Sequence, residues 1–185
     1  MSFLLYDLDQ ETRRHMAAEL RLDVALRRVV TPKRLNEAGR TAYPGLLEAA
    51  IDHGDSDVLA AALSAGALLE EFELTHSRKG KPYWKRVPWN AAQTLAEEEF
   101  NRYYMRGLAR RAIVEGIDAL EVYRAKAVKE PRAESKAREG YLVRPAILLE
   151  DLRQNREGPT DRGLPAGPNS GMSVRIPLRQ ERALI

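Results

Sequence analysis

Apolar residues recur every fourth position along the first segment. Met16, Leu20 and Val24 define one face of a helix, with Asp9 placed to cap it and an end near Arg28. Thr31-Pro32 reads as the N-cap and first turn of a short second helix ending at Gly39. A third helix is expected to start near Tyr43-Pro44 and stop at Gly54, and a fourth to start at Asp55 or Ser56 and stop at Gly66. The period then changes. Leu68, Glu70, Phe72 and Leu74 alternate with Leu69, Glu71, Glu73 and Thr75, and Tyr83, Lys85 and Val87 share one face of a second short run. Two such runs around the Gly-containing tip SRKGK predict a β-hairpin.

Asn90 opens the longest helix, to about Glu115, with Gln93 placed to complete a capping box and Trp89 to staple onto the first turn. Leu95, Phe100, Tyr103, Tyr104, Leu108 and Ile113 form its apolar stripe, and Gly116 stands where a terminating Gly belongs. Gly107 in mid-helix costs about 1 kcal/mol relative to Ala, which marks a site of close helix packing. Residues 119–128 read as a strand, 131–140 as a loop or single helical turn, and Pro145 as the start of a last helix to about Asn155. From there to Ile185 no period survives, and four Gly and four Pro punctuate the segment.

The resulting fold class is α+β and mainly helical. About five helices accompany a β-hairpin and one or two further short strands. The organisation is a single domain over residues 1–155 and an extended C-terminal arm over 156–185, held either by its own domain or by a neighbouring subunit.

Composition narrows the function classes. Hydrophobic residues make up 44% and charged residues 31% of 185, as in an ordinary globular chain. The chain has no Cys, which excludes disulfides and thiolate chemistry, and its three His residues (His15, His53 and His76) have no metal-ligand spacing. No apolar run has a membrane-spanning length and the N-terminus lacks a basic leader, so the chain is expected to be cytoplasmic when made, with no membrane partner. The net charge of +3 is small, and Arg in place of Lys fits a GC-rich genome as well as a nucleic-acid partner.

Phosphate-loop, dinucleotide and nucleophile-elbow motifs are absent. Asp7 with Asp9, and the run Glu97 to Glu99, are carboxylate clusters, but a cap and a helix N-terminus account for them. The Ser of GPNSG at 167–171 lacks a strand-turn-helix setting. No catalytic residue and no cofactor are therefore expected.

Two basic clusters stand out. Arg78, Lys79, Lys81, Lys85 and Arg86 crowd the hairpin with Tyr83 and Trp84 interleaved, a pattern suited to phosphates and bases or to an acidic partner. Arg102, Arg106 and Arg110 recur at i+4 and form a basic stripe expected to face solvent or a partner, while Phe100, Tyr104 and Leu108 enter the core.

The stretch YPGLLEAAIDHGDSDVLAAALSAGA looks like one ankyrin repeat, with Pro44, Ala49, Ala50, Gly54, Val58, Leu63, Gly66 and Ala67 near its pattern. It occurs once, and repeat arrays need about three copies, so a capped helix hairpin is the reading. Residues 90–177 carry AEEEFNRYYMRGLARRAIVEGIDALEVYRAKAV, EPRAESKAREG and GLPAGPNSGMSVRIP. They resemble an uncharacterised family of tailed-phage and prophage-related genomes, with the VYRAK strand and the GPNSG turn as its most distinctive pieces. The resemblance implies a structural subunit of a virion or similar particle, such as a head-tail connector or capsid-associated protein.

The expectation is thus a non-enzymatic assembly subunit that binds copies of itself and other structural subunits. Its arm would dock through Pro165, Pro168, Met172, Val174, Ile176 and Leu178, the run Met172–Ile176 adding a strand to a neighbour's sheet edge. A nucleic-acid-binding protein using the basic hairpin and the Arg stripe is the alternative.

Overall fold

A computed structural model describes residues 3–128, 130, 132–156, 164 and 171–178. The fold is α+β and mainly helical. The first helix, α1 (Gln10–Ala25), is capped as its sequence requires, with Asp9 Oδ1 accepting from the Thr12 N–H at 2.9 Å. Its buried face holds Met16 and Leu20 but also Glu19 and Asp23, and Val24 points to solvent instead.

Residues 37–53 form one helix, α2 (Glu37–His53), with Pro44 inside it. The expected helices at 31–39 and from Pro44 are therefore corrected. The start is set by Asn36, whose Oδ1 accepts from the Gly39 N–H and whose Nδ2 donates to the Ala67 carbonyl. That two-sided anchor outweighs the single intrahelical bond lost at Pro44. Gly54 ends α2, Asp55 caps α3 (Ser56–Ala65) through the Asp57 and Val58 N–H groups, and Gly66 ends it.

Strands β1 (Phe72–His76) and β2 (Pro82–Arg86) pair antiparallel as the expected hairpin, with Leu74 opposite Trp84. The long helix α4 (Ala91–Glu115) follows and ends at Gly116 in the left-handed region. Asn90 makes no side-chain cap, Gln93 donates to Asp57 and Glu97 instead of closing a capping box, and Trp89 is 97% exposed instead of stapled. Every residue from Phe100 to Ala109 is buried, because α1, α3 and α6 (Pro145–Gln154) all pack on α4. A helix enclosed on all sides has no solvent face.

The chain then runs through β3 (Leu120–Arg124), the single turn α5 (Ala133–Ala137), β4 (Leu142–Val143) and α6. It closes with β5 (Met172–Arg175), which pairs antiparallel with β3 in a sheet of order β4-β3-β5. This corrects the expected boundary at residue 155. Met172, Ser173 and Val174 are buried in the chain's own core, because Val174 opposite Val122 completes an apolar face that β3 alone leaves open. The N-terminal lead straps the same sheet. The Leu4 N–H donates to the Ala125 carbonyl, the Tyr123 hydroxyl donates to the Leu4 carbonyl, and the Ile176 N–H donates to Asp7 Oδ2.

Candidate functional site

The hairpin β1–β2 is the feature that leaves most chemistry in solvent. Its tip follows from the sequence: the Gly80 N–H donates to the Ser77 carbonyl, the Ser77 N–H donates to the Lys81 carbonyl, and Gly80 takes φ +76°. Strand alternation puts Phe72, Leu74 and Trp84 on one face, and they are 48%, 54% and 68% exposed. Every residue of β2 is exposed. The base is tied down on the other face, where Arg34 makes a two-pronged bond to Glu73 at 2.7 and 3.2 Å. The Arg34 bond, with Lys85 beside it, outweighs partial burial and holds the Glu73 carboxyl below its usual range.

The five expected basic residues do not act alike. Lys85 pairs with Glu73 at 3.0 Å and Arg86 with Glu71 at 2.8 Å. Such exposed pairs contribute about 0–1 kcal/mol each to stability, yet they supply a local counter-charge. Among the described residues, Arg78, Lys79 and Lys81 at the tip have no ion-pair partner. Free cations at the tip and three apolar side chains on one face are thus presented together.

The expected solvent-facing Arg stripe is corrected at Arg102 and Arg106, while Arg110 stays half-buried at the surface. Arg102 and Arg106 are buried within α4, and Arg110 reaches back to Glu19. Arg106 donates to Glu19 at 2.9 Å and to Asp23 at 2.5 Å, both on α1, and Arg153 of α6 donates to Glu19 at 2.6 Å. The Tyr103 hydroxyl completes the cluster by donating to Asp23. Burial opposes ionisation of Glu19, but the bond from Arg153 and the charge of Arg106 win, so its carboxyl titrates below the usual range. Arg102 Nη1 donates to the Asn155 carbonyl. These arginines bind three helices together; Arg102 and Arg106 present no charge to a partner, while the half-buried Arg110 and Arg153 share theirs with Glu19.

The expected arm residues are likewise redistributed. Met172 and Val174 are core and Ile176 packs against it, so none of the three is offered to a neighbouring sheet. Leu178 is 78% exposed. Pro165 and Pro168 lie outside the described residues. The two distinctive motifs of the family resemblance meet here. The Gly171 carbonyl that ends GPNSG accepts from the N–H groups of Ala125 and Lys126 in VYRAK. Lys126 in turn pairs with the buried Glu97.

One feature escaped the sequence reading. From Thr41 to Ser77 the chain contains no Lys or Arg, while Glu48, Asp52 and Asp55 stand exposed where α2 meets α3. A running charge count would have found this acidic stretch, which ends where the basic tip begins.

Among the described residues, no group of three or more His, Asp or Glu is placed to hold a metal ion, and no helix is long and apolar enough to cross a membrane. No protein-family model, curated protein or solved structure matches this chain.

Proposed function

We propose that the protein is a non-enzymatic assembly subunit whose copies associate head to tail, the β1–β2 hairpin of one docking on the acidic α2–α3 corner of the next. The observation that carries this reading is the solvent-exposed face of Phe72, Leu74 and Trp84 beside three unpaired cations. Fully burying one side chain of that size contributes about 1.5–3 kcal/mol. The matching surface is Glu48 and Asp52, one helical turn apart on α2, with Asp55 beside them. A contact between two different patches of one chain generates rings or open filaments, depending on whether the rotation closes. Rings of this kind suit a subunit of a virion or similar particle, such as a connector, which is the role the family resemblance implies.

Nucleic-acid binding is the weaker reading, because Lys85 and Arg86 carry local counter-charges, Arg102 and Arg106 lie inside the fold, and Arg110 is paired with Glu19. Sedimentation velocity over a concentration series tests the proposal. The wild type associates as concentration rises, and Trp84→Ser removes the association. A chain that stays monomeric throughout, or salt-dependent DNA binding by a monomer that Lys79→Glu abolishes, would overturn it.

A further inference from the structure

We infer that the cavity between the C-terminal ends of α1 and α6 binds a small phosphate-bearing ligand. The cavity is open, measures about 430 Å³ and is lined by Arg27, Arg28 and Arg156 together with Thr31 and Asn155. That volume is in the range of ordinary small-ligand sites. No carboxylate lines it, and among the described residues none of the three arginines has an ion-pair partner. Arg156 reaches across by donating from Nη1 to the Arg28 carbonyl at 3.2 Å.

The backbone adds a second reason. α1 ends in a closed turn in which the Arg27 N–H donates to the Val24 carbonyl and the Arg28 N–H to the Asp23 carbonyl. In that turn Arg27 holds φ +53°, the position that Gly fits best, so the side chain is kept at a conformational cost. Beyond it, the N–H groups of Val29, Val30 and Thr31 have no acceptor among the described residues. Two arginines past a helix C-terminus are partly offset by its dipole. A third arginine from another element, on the same cavity with free N–H groups beside it, completes a site for a multiply charged oxyanion.

Calorimetric titration of the full chain with inorganic phosphate and with pyrophosphate, against chloride at matched ionic strength, tests this. Saturable binding is expected, tighter for pyrophosphate, and at least tenfold weaker in Arg28→Gln and in Arg156→Gln. Arg27→Gly relieves the strained turn, so it should raise the unfolding midpoint while weakening binding. A purely structural arginine would not show that combination. Absence of saturable binding by the wild type, or unchanged affinity in Arg27→Gly and Arg156→Gln, would overturn the assignment.

Discussion

Gly171 and Lys126 lock the C-terminal strand onto the sheet at a point where only glycine fits. Gly171 takes φ +66°, and a Cβ there would collide with the Lys126 carbonyl oxygen. Gly171→Ala therefore combines a left-handed backbone with a clash against main chain, and should destabilise by roughly 2 kcal/mol or more in urea unfolding. Gly80→Ala at the hairpin tip meets open space at φ +76° and should cost only about 1 kcal/mol.

Deleting residues 171–185 should unfold the body instead of trimming an arm. β5 brings Met172 and Val174 into the core and Ser173 onto Asn101, and its loss exposes the face of Val122. Circular dichroism of the truncated chain should show loss of a cooperative thermal transition. A sharp transition near the wild-type temperature would contradict this.

How much of this was legible in the sequence depends on what each residue's signal competes with. Asp9, Asp55, Gly54, Gly66 and Gly116 were readable because caps are local chemistry. Pro44 misled because a proline usually opens a helix, while the anchor that starts α2 lies in the Asn36 contacts to residues 67 and 69, far along the chain. Arg106 misled because periodicity assumes one solvent face, and α4 has none between Phe100 and Ala109. The return of β5 was hidden for a similar reason: Met172 to Ile176 carries a strand's composition, but only the vacancy beside β3 says whose strand it is. At the hairpin, the basic residues were legible one by one, whereas the pairing of Lys85 and Arg86 with Glu73 and Glu71 depends on register.

Arg106→Met should cost about 3–5 kcal/mol, because it leaves the buried Asp23 without its arginine and takes from Glu19 one of three, Arg110 and Arg153 remaining. The same cluster sets an acid response. Glu19 titrates lower in the fold than in the unfolded chain, so its stabilisation is complete above its ordinary pKa of 4.5 and is lost as pH falls below it. Asp7 and Glu98 run the other way: burial raises both, so each loses more stability as pH rises through its folded value. Urea midpoints between pH 3 and 6 should therefore fall less steeply toward acid in Glu19→Gln, and more steeply in Asp7→Asn, than in the wild type.

Gly107→Ala should destabilise even though Ala is the better helix former by about 1 kcal/mol. The added methyl would meet the Met16 backbone nitrogen at 2.8 Å and its Cα at 3.0 Å, where α1 crosses α4. Main chain cannot swing aside as a side-chain tip can, so the clash outweighs the propensity. A thermal midpoint at or above wild type would show that the two helices separate more freely than their packing implies.

The head-to-tail contact is tested most directly by a charge exchange read by sedimentation velocity. Lys79→Glu with Lys81→Glu should leave a folded monomer, and so should Glu48→Lys with Asp52→Lys, since all four side chains are exposed. Mixing the two monomeric variants should produce a new, larger species, because each still carries one native patch and complementary reversed patches now face each other. If the mixture stays monomeric, or if either double variant associates like the wild type, the hairpin and the α2–α3 corner are not partners.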